Sequence, residues 1–296
     1  MSKNHKFPTD EIEFNKFLVR EYMKYGTVDE VYRKHKYFLP ISYANYQRVL
    51  DRWDIKKAVG PNNKFSEAVD FLGHLAKDNI AFEKLYKKLP PNYKTSAVTL
   101  YRVLAYVKEG ITRRLGTALV ITPYDNINRI LVARDVSTPR IQLGKTFGSY
   151  SIPMGYSKKG ESRSENIKRI LQQEVFTDKS INREFPEELV SESLSPFMYL
   201  EVADIRVSVY HIQLPKDLSS EKVFSSYKLQ DFEFVPVTEV LGETYNGVKI
   251  RSGVKDALKG YLKYLKLLER KLTINPLQEK SIMNKELATV TIEVEE

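Results

Sequence analysis

The residues with the clearest chemical potential lie in the segment 155–177, where a glycine and charged side chains recur at fixed intervals. Glu161 follows Gly155 after five residues, and Arg169 follows Glu161 after seven. The pattern predicts a helix through the second half of this segment. Three of its residues share one face, because an α-helix turns once in about 3.6 residues. They are Ile170, Gln173 and Glu174, so the face offers a single carboxylate.

This spacing resembles the Nudix box, in which Gly, five residues, Glu and seven residues precede Arg-Glu-apolar-X-Glu-Glu-X-Gly-apolar. The family's metal-binding acids would fall at 170, 173 and 174, where magnesium held against a diphosphate acts as a Lewis acid. Here Ile170 has no ligating oxygen and Gln173 is neutral, so one acid of three is kept. The resemblance implies a Nudix-type domain in which Glu174, and secondarily Glu161, are the metal candidates. Magnesium is then able to bind but not required.

The other residues of the box have alternative roles. Glu161 and Arg169 can form a structural ion pair that braces the loop against the helix. The distal acids Glu201 and Asp204 lie near a predicted strand end and are candidates to replace the lost ligands. The resemblance implies a nucleotide diphosphate ligand, held by cations and by backbone N–H groups at the start of the box helix. The predicted ligand-binding residues are Arg134, Arg140, Lys145, Gly155 and Arg169.

Strand and helix patterns around the box predict an αβα sandwich over 115–275, followed by a tail over 276–296. The predicted strands lie at 117–122, 129–133, 148–152, 196–202, 206–214 and 231–237. The first two are expected to pair as a hairpin through a turn at 124–128. The box helix is predicted from about Ser162, and a last helix over 254–272 carries an apolar stripe. That stripe packs on its own domain or forms a homodimer contact.

Composition limits the class of protein. The chain has 296 residues, enough for two domains with a buried core. It has no cysteine, which excludes disulfides, thiolate catalysis and cysteine-bound zinc. No apolar run approaches the roughly 20 residues of a membrane span, and the first residues lack a signal-peptide core. We therefore expect a soluble cytoplasmic protein.

The net charge of +9 is concentrated in the first part of the chain. Residues 1–116 contain 22 Lys+Arg and 13 Asp+Glu, so their net charge is also +9. Residues 117–296 contain 25 of each, so their net charge is zero. A basic region joined to a neutral one predicts that the first binds a polyanion and the second has another task. A basic surface kept for solubility is the alternative.

The basic region repeats itself at an offset of 54 residues, most visibly where residues 48–50 and 102–104 both read Arg-Val-Leu. Each copy is predicted to form three short helices, so the units are placed at 1–60 and 61–114. In the first unit Thr27 and Ser42 are the predicted N-caps of the second and third helices. The third helix is expected to bury Ala44, Val49 and Trp53. The helices of the second unit are predicted at 65–76, 81–88 and 96–108.

Three short helices with a capped third helix resemble a helix-turn-helix DNA-binding unit, here in tandem. The expected fold class is therefore α/β, an all-α helix-turn-helix-like repeat domain followed by an αβα-sandwich Nudix-like domain. The resemblance places the start of the third helix in the major groove of duplex DNA. The DNA-binding residues that it implies are Tyr43, Asn45, Tyr46 and Arg48, with Thr99 and Arg102 in the second unit. A helical bundle that binds protein or packs on the second domain is the alternative.

Helix-turn-helix units joined to a Nudix domain that has lost its acids resemble the Nudix-related transcriptional regulators. In those proteins the Nudix fold binds a nucleotide such as an ADP-ribose compound and controls operator binding; here the domain order is reversed. The first hypothesis is a DNA-binding regulator that senses a nucleotide diphosphate without efficient hydrolysis. The second is an active Nudix hydrolase of nucleoside diphosphate derivatives with an atypical metal site. The third is a protein-interaction scaffold.

Overall fold

The chain forms a helical N-terminal unit and a mixed α/β domain, as seen in a computed structural model. The structure describes residues 7–57, 82–88, 104–105, 109–111, 114–137, 146–158, 160–202, 205–251, 253–272 and 275–289. Within these ranges, every helix is too short or too polar to cross a membrane.

The N-terminal unit contains the three predicted helices. They are α1 (Glu11–Tyr25), α2 (Val28–Lys34) and α3 (Tyr43–Arg52). The side chains of Thr27 and Ser42 cap α2 and α3 by accepting a backbone N–H from the first turn, as predicted, and Asp10 does the same for α1. These caps satisfy N–H groups that have no partner within the helix, so each helix begins at a defined residue.

One face of α3 fills the core between α1 and α2. Tyr46, Val49 and Leu50 are buried on this face, and the Tyr46 hydroxyl donates to the carbonyl oxygen of Leu18 at 2.6 Å. Ala44 is exposed, so its predicted burial is wrong. It precedes Tyr46 by two residues, and residues two apart point to opposite sides of a helix.

The second unit is described over one helix, α4 (Phe82–Lys88), which lies within the predicted 81–88. Its bounds follow those of α2 by the repeat offset at both ends, since 82 − 28 and 88 − 34 both equal 54. The other predicted helices of this unit fall largely outside the described residues. The tandem repeat therefore stays a prediction, with one helix in the expected place.

The α/β domain contains ten strands and four helices within the described residues. The strands are β1 (Arg114–Thr122), β2 (Arg129–Asp135), β3 (Ser149–Ser151), β4 (Met154–Tyr156), β5 (Met198–Val202), β6 (Ile205–Gln213), β7 (Leu229–Pro236), β8 (Thr244–Tyr245), β9 (Val248–Lys249) and β10 (Leu277–Lys280). The helices are α5 (Arg163–Glu174), α6 (Thr177–Ile181), α7 (Val254–Glu269) and α8 (Ile282–Thr289). Part of the predicted tail is thus built into the domain, because β10 pairs with β5 as an edge strand.

The first two strands do not form the predicted hairpin. β1 pairs antiparallel with β4 and parallel with β6 in a sheet of order β10-β5-β6-β1-β4. β2 lies in a second sheet of order β3-β2-β7. Both strands are apolar at consecutive positions, which is typical of strands buried on two faces, and such strands are central in their sheets. The segment between them therefore connects two sheets.

Helices cover both faces of this sheet layer. On β1, Leu119 and Ile121 belong to the core that contains α5, whereas Ala118 and Val120 belong to the core that contains α7. β2 alternates in the same way. The domain is thus an αβα sandwich, with α5 held rigidly on one side of β1. The apolar stripe of α7 packs inward over most of its length, but its last two leucines, Leu268 and Leu272, are exposed.

A histidine in the α7 core makes the stability of this domain dependent on pH. His211 Nε2 lies 3.0 Å from Thr122 Oγ1 and 3.1 Å from the Tyr261 hydroxyl, and burial lowers its pKa to about 4. The unfolded value is about 6.5. Because the folded pKa is the lower one, the stability contribution is complete above pH 6.5 and is lost as the pH falls toward 4.

We expect the free energy of unfolding of the wild type to drop by about 2–3 kcal/mol between pH 7.5 and 4.5 through this group alone. The variant His211→Gln keeps a polar side chain but cannot titrate, so its drop over the same interval should be smaller by that amount. Urea denaturation at both pH values measures the difference. Equal drops in the two proteins would contradict the buried neutral histidine.

Candidate functional site

The box segment, residues 155–177, runs from β4 through a loop into α5. Its helix begins after Ser162 with a reciprocal pair of hydrogen bonds: Ser162 Oγ accepts from Glu165 N at 3.2 Å, and Glu165 Oε2 accepts from Ser162 N at 3.1 Å. These hydrogen bonds also hold the pKa of Glu165 below its ordinary value. The helix start is therefore occupied by its own carboxylate, which opposes the phosphate predicted there.

Glu161 and Arg169 form a buried ion pair. Arg169 Nε donates to Glu161 Oε1 at 3.0 Å and Arg169 NH2 to Glu161 Oε2 at 3.1 Å, in a two-pronged contact. The same arginine donates to the carbonyl of Tyr156 at 2.6 Å and to Asn166 Oδ1. Glu161 also accepts from the backbone of Lys158 at 2.9 Å. This arrangement is the structural ion pair that the sequence offered as an alternative, while the metal role of Glu161 and the ligand role of Arg169 stay predictions.

Gly155 and Ile170 are packing residues. A Cβ atom added at Gly155 would lie 3.6 Å from Ile170 Cγ1 and 3.7 Å from Arg169 NH1, so the backbone of β4 runs close against α5. Ile170 is 2% exposed and belongs to the core beside Leu119. The predicted ligand role of Gly155 is not supported by this position. The helix face that would carry a metal-binding acid at 170 instead closes the core.

Glu174, the one acid kept on that face, is held by protein groups. Its Oε2 accepts from the backbone N–H of Met154 at 2.9 Å, and its Oε1 lies 3.7 Å from Lys228 Nζ. Lys228 also donates to Gln173 Oε1 at 3.1 Å. The ammonium group of Lys228 therefore contacts both Gln173 and Glu174.

The described residues contain no cluster of three His, Cys, Asp or Glu side chains that could hold a metal ion. Glu201 does not form a metal-binding cluster with Glu174. It lies on β5, three strand positions from β4 in the sheet, a separation of about 14 Å at the usual strand spacing. Asp204 falls outside the described residues.

The amide side chains of α5 bind the segment that follows α3. Gln172 Nε2 donates to the carbonyl of Asp54 at 2.9 Å, and Gln172 Oε1 accepts from the N–H of Lys56 at 3.0 Å. Gln173 Nε2 donates to the carbonyl of Lys56 at 3.1 Å. We call these contacts, together with those of Trp53 and Lys168 below, the joint. They place the N-terminal unit directly on the box helix.

A buried lysine strengthens the joint. Lys168 Nζ donates to a carboxylate oxygen of Asp54 and to Glu187 Oε1 at 2.6 Å. Burial alone would lower the Lys168 pKa, but the hydrogen bonds to the two acids outweigh it and raise that pKa. Burial likewise favours a higher pKa for Asp54, yet the lysines bonded to it hold its pKa below the ordinary value. Both groups stay charged at neutral pH.

The only tryptophan of the chain completes the joint. Trp53 Nε1 donates to the carbonyl of Ile181 at 3.1 Å, and the guanidinium of Arg183 lies 3.8 Å from the centre of the Trp53 ring. Ile181, which ends α6, is buried in the same core as Leu18 and Leu50 of the N-terminal unit. The two parts of the protein therefore share apolar core as well as hydrogen bonds.

Of the cations that the sequence predicts to bind a ligand phosphate, Arg134 lies within the described residues. Arg134 is 42% exposed at its side chain, donates to the carbonyl of Gly148 at 3.3 Å and lies 3.8 Å from Asp231. Arg140 and Lys145 fall outside the described residues. Arg134 is thus the ligand candidate whose guanidinium remains accessible to a phosphate.

The outer face of α3 carries three of the predicted DNA-binding residues. Tyr43, Asn45 and Arg48 are exposed, and Arg48 NH1 donates to Asn45 Oδ1 at 3.1 Å. Tyr46 is fully buried, so its predicted contact with a base is wrong. Its hydroxyl already has a partner in the core, and burial raises its pKa far above the ordinary value. Thr99 and Arg102 fall outside the described residues.

Sequence reasoning missed the residues that form the joint and Lys228. Lys228 lies 54 positions beyond Glu174, and nothing in the local sequence connects the two. Gln173 was interpreted only as a lost acid, and Gln172 was not singled out. Their position on a buried helix face was a usable signal, because buried amides need hydrogen-bond partners.

Solved structures similar to this chain carry Nudix names. A MutT protein from Methanosarcina mazei Go1 is 13% identical over 53% of this chain and 97% of its own, with a TM-score of 0.36. A Nudix hydrolase from Nitrosomonas europaea is 12% identical over 57% of this chain and 80% of its own, with a TM-score of 0.38. An ADP-ribose pyrophosphatase from Streptococcus suis 89-1591 is 12% identical over 57% and 100%, with a TM-score of 0.34.

TM-scores of this size carry no argument about the fold or the activity of this chain. No family model matches the sequence, and no curated protein does. The architecture therefore depends on the observed topology, and the assignment of a function depends on the site geometry.

The ion pair predicts a large stability effect at Arg169. The variant Arg169→Met leaves the buried Glu161 carboxylate without its cation, so we expect a loss of about 3–5 kcal/mol in the free energy of unfolding. Arg163→Met on the exposed side of the same helix is the matched control and should cost less than about 1 kcal/mol. Guanidinium denaturation measures both. Similar, small losses in the two variants would contradict a structural role for Arg169.

Proposed function

We propose that this protein is a DNA-binding regulator whose αβα domain derives from a Nudix hydrolase and binds a nucleotide diphosphate without efficient hydrolysis. The observation that carries the proposal is the 3.1 Å hydrogen bond from Gln173 to the carbonyl of Lys56. It commits a position that Nudix metal chemistry requires to a contact between the two parts of the chain.

The chemistry of the face supports loss of hydrolysis. Magnesium prefers a nearly octahedral set of oxygen ligands, and Ile170 supplies none while Gln173 supplies at most a neutral amide. The nearby cation is Lys228, a single charge that cannot act as a Lewis acid on water. Returning a glutamate to position 170 would place a charge in the core, at a cost of several kcal/mol.

The proposed ligand is a nucleotide diphosphate, because phosphate recognition does not need the lost acids. The accessible guanidinium of Arg134 can contact phosphate oxygens with two parallel hydrogen bonds. The Lys228 ammonium is one-third exposed and lies at the edge of the same domain face as Glu174. Arg140 and Lys145 belong to the proposal as additional cations from the sequence.

The joint supplies a route between ligand and DNA. Trp53 is the C-cap of α3, and Lys56 follows it by three residues. A ligand that alters the contacts of Gln173 or Lys228 would act on a segment continuous with the exposed helix. The equilibrium between the two states would shift by the difference in ligand affinity for them.

An active hydrolase is the second candidate function. It is favoured by Glu174, an acid kept at a family metal position and largely buried beside β4. The candidates differ in what they require of this carboxylate, because only the hydrolase needs it to bind metal.

We expect the wild type to bind ADP-ribose in EDTA as well as in magnesium, and to turn it over no more than in trace amounts. The reason is that one carboxylate cannot organise the metal ions that stabilise phosphoryl charge. Calorimetry measures the binding, and phosphate or nucleoside monophosphate release with magnesium or manganese measures turnover. Robust turnover that disappears in Glu174→Gln but persists in Glu188→Gln, an exposed control, would establish the hydrolase instead.

We expect the full chain to shift duplex DNA in gels, with an affinity that falls steeply as salt rises because basic contacts release counterions. Arg48→Ala should lower the affinity by at least about fivefold, the lower end of the effect of one arginine contact. Asn45→Ala should chiefly relax sequence preference.

Arg270→Ala is the control for this series, because Arg270 is exposed at the end of α7 and outside the N-terminal unit. Its binding should equal that of the wild type. No shift at low salt, or equal losses in Arg48→Ala and Arg270→Ala, would refute duplex recognition by α3.

A further inference from the structure

The turn between α2 and α3 carries exposed aromatic rings beside cations. Residues 33–43 contain three Lys or Arg side chains and no Asp or Glu, and Asp29 of α2 lies beside them, with its carboxylate 3.5 Å from the Tyr43 hydroxyl. Tyr37 and Phe38 are 70% and 73% exposed, and Tyr43 at the start of α3 is 47% exposed. We call the following residues the turn surface: Arg33, Lys34, Lys36, Tyr37, Phe38 and Tyr43.

The turn is held in one conformation. Tyr37 N donates to the carbonyl of Tyr32 at 2.8 Å, and Phe38 N to that of His35 at 3.0 Å. Leu39 is buried in the core of the N-terminal unit, and the Tyr32 hydroxyl donates to the carbonyl of Ile41 at 2.5 Å. The two exposed rings are therefore attached to an anchored backbone.

Stability does not explain the residues at this turn. Lys36 and Tyr37 have φ angles of 51° and 62°, a left-handed conformation in which glycine would be less strained. Glycine is also the usual residue after a helix end of this kind. Tyr37 and Phe38 in addition leave large apolar area in water. A tyrosine in this conformation, followed by an exposed phenylalanine, indicates a binding role.

The shape and charge of the turn surface fit unpaired nucleotides. The ring of Tyr32 lies between two exposed tyrosines, 6.1 Å from the ring of Tyr43 at 23° and 6.4 Å from that of Tyr37 at 31°. Bases stack on such rings whatever their sequence, and nearby cations contact the phosphates. Duplex DNA presents base edges to a protein and keeps the base faces stacked internally.

We propose that the turn surface binds unpaired DNA by stacking bases on Tyr37 and Phe38. Glu30 pairs with Arg33 at 3.1 Å, so Lys34 and Lys36 are the cations assigned to phosphates. Tyr43 lies at the border with the outer face of α3. The inference rests on the proposed function only for its choice of DNA over RNA.

Fluorescence anisotropy of the full chain with a labelled oligothymidine of about 15 nucleotides tests the proposal. Tyr37→Ala and Phe38→Ala should each weaken binding by about thirtyfold, the middle of the range for one stacked base. Phe147→Ala, which removes an aromatic ring of similar exposure from the other domain, should change it by less than about twofold. Lys36→Gly should raise the melting temperature while it weakens binding, because it relieves strain and removes a cation.

The same variants are measured on a duplex and on an RNA of the same length. Losses confined to single-stranded DNA support the proposal. They do so even if the wild type fails to bind duplex DNA, because that result would refute only the duplex function. Equal losses on duplex and single strand, tighter binding of RNA than of DNA, or no single-strand binding at low salt would each overturn it. In the last case the surface would fit a protein partner instead.

Discussion

The arrangement of the whole molecule depends on two neighbouring glutamines that bind main chain. Gln172 hydrogen-bonds both the carbonyl of Asp54 and the N–H of Lys56, as a neighbouring strand would. Gln173 donates a hydrogen bond to the carbonyl of Lys56. These side chains are buried, so an unpaired amide would cost about 1–3 kcal/mol. The box helix and the N-terminal unit therefore satisfy each other's hydrogen-bonding groups, and each would leave polar groups unpaired without the other.

Charge at the box segment is balanced within the protein. The face of α5 that carries Ile170, Gln173 and Glu174 offers one carboxylate, and the ammonium of Lys228 lies 3.7 Å from it. The ion pair of Glu161 and Arg169 has a separate task, because it fixes the loop before α5. The conformation of the segment therefore depends on one ion pair, and the charge balance of the α5 face depends on another.

The sequence predicted features that depend on nearby residues. Caps at Thr27 and Ser42 are set within one helical turn, so their chemistry is visible in the chain, as is the start of the box helix at about Ser162. Strand pairing is not local, and the expected hairpin between β1 and β2 failed because each strand found partners elsewhere. Tyr46 was misplaced for a related reason. A tyrosine fits both a core and a nucleic-acid surface, and only the packing of α1 decides between them.

The site followed the same rule. Glu174, Ile170 and Gln173 were singled out from their spacing on one helix, whereas Lys228 and the 54–56 segment reach that helix from 54 and more than 110 positions away. Buried polar side chains on α5 were the available sign that some partner had to exist, but not which one. Long-range hydrogen bonds of this kind leave no periodic trace in a sequence.

The main-chain hydrogen bonds of the joint also have an evolutionary consequence. Peptide N–H and C=O groups are common to nearly all residue types, so the glutamines recognise a backbone path and not a linker sequence. At position 56 the glutamines contact only the backbone, so many side chains fit there, with proline excluded because it has no N–H to donate. Asp54 and Ile55 are constrained in addition, by the contact with Lys168 and by burial in the core. Mutational tolerance should thus be uneven along the linker, high at position 56 and low at positions 54 and 55.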